Sequence, residues 1–116
     1  MNSGGGVNFL PEAREDISEL AEYFSRAGVT SANGFIETVL VTLNDLTSMP
    51  GKGSLKSYRS RRLEGIRSWS VRGFQKILIL YRPTSAGIDV VAIAHGARNL
   101  RSLLMRRLQK LPPPQG

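Results

Sequence analysis

Residues 69–100 read WSVRGFQKILILYRPTSAGIDVVAIAHGARNL, and this stretch decides the fold. A tight turn at Arg72 and Gly73 precedes an apolar strand over residues 74–81. A short loop with proline and glycine then leads to a second apolar strand over residues 88–94. Strands joined by such short connections predict an antiparallel meander. Both strands are almost uniformly apolar, which is typical of central strands covered by helices.

Two amphipathic helices are predicted upstream of this sheet. The first begins at Pro11, because proline is favoured at the first helical position, and it ends at Gly28. The second covers about residues 32–49, with Thr30 or Ser31 as its N-cap. The short connection between them predicts an antiparallel hairpin. The positions expected to face the core are Ala13, Ile17, Leu20 and Phe24 on the first helix, and Phe35, Ile36, Val39, Leu40, Leu43 and Leu46 on the second.

Four further segments complete the expected domain. Residues 7–10 are apolar enough for a brief edge strand, and the alternation that begins at Ile66 predicts a half-buried strand before the turn. Residues 51–65 form a basic loop with almost no apolar side chain to anchor it. A leucine stripe with intervening arginines over residues 99–111 predicts a basic C-terminal helix.

These elements predict an α+β fold. A helical hairpin packs on a twisted antiparallel sheet of three or four strands, and a basic C-terminal helix follows. A single domain should cover residues 7–111. The glycine-rich residues 1–6 and the proline-rich residues 112–116 are expected to be a disordered leader and tail, because neither can bury apolar surface.

Charge is divided unevenly along the chain. Residues 1–50 carry a net charge of −5, and residues 51–116 carry +12. A half this basic indicates an acidic or polyanionic partner, but it does not separate RNA and DNA from an acidic peptide. The chain has no cysteine and one histidine, which excludes disulfides and leaves a metal site short of its usual ligands. We therefore expect no cofactor.

The sequence shows no membrane or export signal. No apolar run approaches the ~18 residues that would suggest a transmembrane helix. The polar, glycine-rich start does not resemble a secretory signal peptide. We expect a cytoplasmic protein with no membrane partner.

Three short motifs follow one another with an unusual combination of order and spacing. They are PEARED at residues 11–16, Tyr81-Arg82 at the end of one apolar strand, and His95-Gly96-Ala97-Arg98 at the end of the next. This combination resembles the ParE/RelE family of toxins from type II toxin–antitoxin systems, over roughly residues 7–105. The resemblance implies a toxin that a cognate antitoxin neutralises in a hetero-oligomeric complex.

The family contains branches with different targets. The His-Gly-Ala-Arg ending resembles the ParE-like branch, whose members poison DNA gyrase by stabilising its cleaved DNA complex. RelE-like members are ribosome-dependent mRNA interferases that use several basic residues and a tyrosine near the C-terminus, and no tyrosine follows Tyr81 here. The resemblance therefore favours a non-catalytic gyrase inhibitor. An mRNA interferase and a degenerate, non-toxic binding module are the alternatives.

As an interferase, the chain would be a metal-independent endoribonuclease. Such a site needs a base, an acid and cations around the scissile phosphate. The candidate catalytic residues are His95, Tyr81, Arg82, Arg67 and Arg98. Each also has a non-catalytic interpretation. In it, His95 closes the sheet, Tyr81 and Arg67 pack in the fold, Arg98 braces a turn, and Arg82 lies in a solvated loop.

Two sets of residues are candidates for contact with partner molecules. Five cations lie within residues 52–62 and repel one another unless an anion is present. The candidate target-binding residues are Lys56, Arg59, Arg61, Arg62, Arg67 and Arg98. Antitoxins of this family are typically acidic and fold on binding, which implies contact with a basic, partly apolar groove. The candidate antitoxin-binding residues are Arg101, Leu103, Leu104 and Arg106, provided that part of the leucine stripe is exposed in the free toxin.

Overall fold

The computed structural model describes residues 6–109, and it contains three α-helices and one five-stranded sheet within them. The strands are β1 (Gly6–Phe9), β2 (Ser54–Leu55), β3 (Arg67–Val71), β4 (Phe74–Thr84) and β5 (Gly87–His95). The helices are α1 (Pro11–Arg26), α2 (Ala32–Ser48) and α3 (Leu100–Leu108), and single 3₁₀ turns occur at Pro50–Lys52 and Arg61–Leu63. The predicted tail 112–116 and all but Gly6 of the predicted leader lie outside the described residues.

The predicted α+β class is confirmed, but the sheet is larger than expected and is mixed. Its order is β1-β5-β4-β3-β2. The predicted antiparallel meander consists of β3, β4 and β5, and β2 extends it by pairing antiparallel with β3. The short strand β1 pairs with β5 in parallel. The contact between them is close, because a Cβ at Gly87 would overlap the backbone of Gly6. The two-residue strand β2 is too short to give an alternating pattern, so it was missed in the sequence.

The helical hairpin has the predicted ends. Pro11 opens α1 without a side-chain cap from Leu10, and Gly28 follows the helix with a φ of +72°. Ser31 is the N-cap of α2, since its Oγ accepts a hydrogen bond of 2.9 Å from the Gly34 N–H. One predicted core position is wrong, because Leu40 is 51% exposed.

Side chains cover the sheet on both faces and form two apolar clusters. On one face, α1 and α2 pack against β4 and β5, with Phe24, Phe35 and Phe74 in mutual ring contact. On the other face, α3 and the segment around Leu63 form a second core. Leu63 is fully buried, so the expectation that residues 51–65 lack an apolar anchor is corrected.

The layers separate the charges. All seven acidic residues of the first half lie on α1 and α2, which form the hairpin layer. The opposite layer, made of residues 54–66 and 96–109, carries eight bases and the single acid Glu64. We call this second layer the basic layer. The charge asymmetry of the sequence thus becomes an asymmetry between two faces of one sheet.

Candidate interaction surfaces

Tyr81 and Arg67 lie opposite each other on β4 and β3, and both hold the segment that follows α2. The Tyr81 hydroxyl donates to the Pro50 carbonyl at 2.6 Å and accepts from the Gly53 N–H at 3.0 Å. The Arg67 guanidinium donates to the carbonyls of Gly51 and Gly53, at 3.0 and 2.7 Å. This pair therefore fixes the start of the segment between α2 and β3.

Tyr81 is buried and structural. Its side chain has no solvent exposure, and its ring belongs to the hairpin-side core. Burial raises the pKa of the phenol, opposed by the Gly53 hydrogen bond and by Arg67, so the hydroxyl remains a donor at neutral pH. Gly53 has no room for a side chain, because a Cβ there would lie 2.5 Å from the Tyr81 hydroxyl oxygen. The hydroxyl is thus enclosed by the backbone that it binds.

Arg82 holds the other end of the same segment. Its Nε donates to the Glu64 carbonyl at 3.0 Å, and its Nη2 donates to the Arg62 carbonyl at 2.6 Å. Burial lowers the pKa of the guanidinium, and the acids Asp89 and Glu64 oppose this change, but an arginine still keeps its charge at neutral pH. Arg82 is therefore a brace for backbone carbonyls and is not part of a solvated loop.

His95 and Arg98 lie together at the exit of β5, away from the other catalytic candidates. The His95 Nδ1 accepts a hydrogen bond of 3.0 Å from the Ala97 N–H, and the His95 carbonyl accepts one of 3.1 Å from the Arg98 N–H. His95 pairs with Ile77 on β4, four residues from Tyr81. At about 3.4 Å per residue, His95 lies roughly 14 Å from Tyr81 along the strand. The five catalytic candidates therefore do not converge on one site.

Residues 56–62 and α3 form a continuous part of the basic layer. The Arg62 Nη1 donates to the Leu108 carbonyl at 3.2 Å, which ties the 3₁₀ turn to the end of α3. Tyr58 packs against the second core, where burial raises its pKa and the neighbouring Arg101 opposes this. Arg59 and Arg61 are exposed on this layer. Most of the predicted target-binding cations thus share one surface with the bases of α3.

The predicted antitoxin contacts divide into two groups. Leu103 and Leu104 are 2% and 0% exposed within the second core. The expectation that this part of the leucine stripe is exposed is therefore corrected, because the stripe is needed to cover the second face of the sheet. Arg101 and Arg106 are exposed and available to a partner. Their role in binding the antitoxin stays a prediction.

A buried ion pair joins the two outer layers and was missed in the sequence. Arg107 donates two hydrogen bonds to Asp16, of 2.5 and 2.8 Å, and the same bonds raise the pKa of Arg107. Asp16 Oδ2 also accepts from the Ile93 N–H at 2.9 Å, and Arg107 donates to the Val91 carbonyl at 3.2 Å. The sequence holds no local signal for a contact between residues 91 positions apart.

Two properties bear on the kind of site that this chain can form. Within residues 6–109, no three His, Asp or Glu side chains are grouped so as to hold a metal ion. None of the helices in the same range is long and apolar enough to span a membrane. The described part of the chain is a small α+β domain whose exposed cations are suited to binding a partner.

Comparison with known proteins identifies the family of this α+β domain. Residues 7–100 match the family model described as the ParE toxin of the type II toxin–antitoxin system parDE, so the chain belongs to the ParE toxin family. Its fold is similar to a solved structure of a chromosomal ParDE TA system from P. aeruginosa, with a TM-score of 0.62 and 12% sequence identity. That match covers 81% of this chain and 98% of the other, and shows a shared fold. No curated protein matches the chain.

Proposed function

We propose that this chain arrests growth by binding DNA gyrase and stabilising the gyrase complex with cleaved DNA, and that a cognate antitoxin neutralises it. The observation that carries this proposal is the match to the ParE toxin family over residues 7–100. The arrangement of the candidate catalytic residues gives independent support for an inhibitor that does not cut RNA.

An RNA-cleaving site is poorly supported by this geometry. Cleavage needs a base, an acid and phosphate-binding cations within hydrogen-bonding reach of one phosphate. Tyr81 is buried, and Arg67 and Arg82 donate to backbone carbonyls. His95 lies roughly 14 Å from Tyr81 along the sheet. Of the five candidates, only His95 and Arg98 lie exposed at the strand exit, apart from the other three.

We further propose that the antitoxin is acidic and contacts the exposed arginines of α3. Arg101 and Arg106 have no acidic partner within residues 6–109, so an acidic segment can neutralise both. Complementary charge of this kind increases the association rate and selects the partner. The complex is a toxin–antitoxin hetero-oligomer that forms in the cytoplasm.

The proposed activity is tested with purified components. The chain is incubated with gyrase, ATP and supercoiled plasmid, and the reaction is stopped with detergent and protease to release cleaved DNA. We expect linear plasmid to accumulate with increasing toxin. Arg98→Glu should reduce the linear product, because Arg98 is an exposed proposed target contact. Arg26→Glu, with the same charge change on α1, should not.

The same preparation is tested on translated mRNA. Fragmented mRNA with no linear plasmid would replace the gyrase proposal with an interferase and make His95 and Arg98 the first residues to mutate. If neither plasmid nor mRNA is cleaved and expression does not slow growth, the chain is a non-toxic binding module. Linear plasmid with intact mRNA supports the proposal.

A further inference from the structure

We infer that the basic layer of this chain binds the phosphate backbone of duplex DNA directly, through Lys56, Arg59, Arg61 and Arg101. This contact is distinct from binding to gyrase, because it needs only the chain and DNA. It would anchor the toxin on the DNA next to its protein target. The inference goes beyond the proposed function and can fail separately from it.

The first support is the uncompensated charge of this layer. It holds eight bases and one acid, and Arg107 is already paired with Asp16. Within residues 6–109, no acidic side chain forms an ion pair with Arg59, Arg61 or Arg101. Charges within a Debye length of about 10 Å add their fields, so these cations together attract a polyanion.

The second support is the kind of cation. Seven of the eight bases are arginine, and Lys56 is the exception. The planar guanidinium can donate two parallel hydrogen bonds to one phosphate, which lysine cannot do. Arginines spread over a helix and an adjacent turn therefore suit a repeating phosphate backbone.

The third support separates DNA from an acidic peptide. A peptide that folds on binding takes much of its affinity from apolar side chains that enter a groove. The leucines of α3 are buried, and Leu55 is the only large, strongly exposed apolar side chain of the basic layer within the described residues. The other such side chains are Tyr23, Val29, Leu40, Val41, Met49 and Trp69, all outside this layer. The layer thus offers charge with little apolar surface.

The fourth support separates a duplex from a single strand. Proteins that bind single strands stack the bases on exposed aromatic rings. Tyr58 is the only aromatic residue of the basic layer, and its ring is half-buried against the second core. Without a free ring for stacking, the layer is suited to phosphates and not to unpaired bases, which favours a duplex.

The surface is also held in position before any ligand arrives. The Ser60 hydroxyl accepts from the Arg62 N–H at 3.2 Å, and Arg82 binds the carbonyls of residues 62 and 64. Arg62 in turn donates to the carbonyl of Leu108 at the end of α3. The backbone that carries Arg59 and Arg61 therefore needs little ordering on binding, so more of the electrostatic attraction appears as affinity.

The test measures binding of the full chain to a fluorescently labelled DNA duplex of about two helical turns. Fluorescence anisotropy is the readout, and gyrase is absent. Four phosphate contacts predict that log K falls against log salt with a slope of about −4 between about 50 and 200 mM. Arg59→Glu combined with Arg61→Glu should weaken binding at least tenfold and make the slope less negative by about 2.

The matched control is Arg14→Glu combined with Arg26→Glu. Both control residues are exposed on α1, and the pair changes the net charge by the same amount. We expect the control to bind DNA within about twofold of the parent chain at moderate salt, since its charges lie in the other layer. Circular dichroism and thermal melting establish that both double variants fold.

Four results would overturn the inference. They are equal weakening by both double variants, tighter binding to a single strand, tighter binding to an RNA duplex, and binding to an acidic peptide without binding to DNA. If the parent chain binds the DNA duplex but does not poison gyrase, the proposed function is rejected and this inference stands. If the parent chain poisons gyrase but does not bind the duplex, this inference is rejected and the proposed function stands.

Discussion

Asp16 on α1 and Arg107 on α3 form a bidentate ion pair that also hydrogen-bonds the backbone at an open edge of the sheet. The strand β1 ends at Phe9, opposite Val90, so the rest of β5 is paired with β4 on one side and has no strand on the other. Beyond that point, Asp16 accepts the Ile93 N–H and Arg107 donates to the Val91 carbonyl. Two side chains from opposite layers thus supply the hydrogen bonds that a longer β1 would have supplied.

Breaking this pair should cost considerable stability. Both side chains are nearly buried, with exposures of 9% for Asp16 and 13% for Arg107. Arg107→Met leaves a buried carboxylate unpaired, so we expect the free energy of unfolding in urea to fall by about 3 kcal/mol. The control is Arg26→Met, which removes the exposed pair with Glu22 and should cost about 0.5 kcal/mol or less. Equal costs would mean that the pair is not effectively buried.

Tyr81→Phe should reduce the stability of the fold without removing a catalytic group. The substitution leaves the Pro50 carbonyl and the Gly53 N–H without their partner, which we expect to cost about 1–3 kcal/mol of unfolding free energy. Tyr23→Phe is the matched control, because Tyr23 is 64% exposed and should change nothing. If Tyr81→Phe abolished toxicity at an unchanged unfolding midpoint, the phenol would have a catalytic role.

The same tyrosine predicts a loss of stability in alkali. Burial raises its pKa above the ordinary value of 10.0, so the folded chain binds the phenol proton more tightly than the unfolded chain. The associated stability is fully present below about pH 10 and is lost as the pH rises through the raised pKa. Unfolding measured from pH 9 to 11.5 should therefore show a steeper decline for the parent chain than for Tyr81→Phe. Parallel curves would contradict this linkage.

Two glycines in the same segment should differ sharply when each is replaced by alanine. A Cβ at Gly53 would lie 2.5 Å from the Tyr81 hydroxyl oxygen and 2.9 Å from the Ser68 carbonyl oxygen, whereas a Cβ at Gly51 would meet no atom within 4 Å. We expect Gly53→Ala to lower the thermal midpoint by the equivalent of about 1–3 kcal/mol, and Gly51→Ala to have little effect. Similar midpoints for the two variants would show that the Tyr81 side chain can shift at little energetic cost to make room for the methyl group.

The bases and leucines of α3 should separate binding from folding. Arg101→Glu combined with Arg106→Glu should weaken antitoxin binding by at least about tenfold in calorimetry, with little change in the thermal midpoint. Leu104→Ala should instead destabilise the chain by about 2–5 kcal/mol, because Leu104 is fully buried. Unchanged antitoxin affinity in the arginine variant would move the contact to another surface.

Local patterns were sufficient for most of the secondary structure. Pro11, Gly28 and Ser31 set helix ends through their own backbone and capping preferences, and the structure has these ends as predicted. The continuous apolar runs of β4 and β5 likewise predicted central strands from local sequence alone. Leu40 was misassigned because helical periodicity identifies a stripe but not its edges, which depend on the width of the surface that the helix covers.

The candidate site was less predictable, because its residues are defined by what they touch. Arg67, Arg82 and Arg62 look alike in the sequence, yet each donates to backbone carbonyls of an element distant along the chain. Arg59 and Arg61 lie in the same basic segment as Arg62, yet their side chains remain exposed. No local pattern distinguishes these two groups of arginine.

The sequence by itself determined the helix ends and the meander, because each depends on neighbours within a few positions. It also determined the resemblance to a toxin family and the division of charge along the chain, because both depend only on the order of the residues. Only the tertiary structure decided that Tyr81 and Arg67 clamp the segment after α2, that Asp16 and Arg107 close the sheet edge, and that the bases of two distant segments share one face. Those outcomes depend on long-range packing. A side chain that donates to a remote carbonyl and one that faces water carry the same local signal.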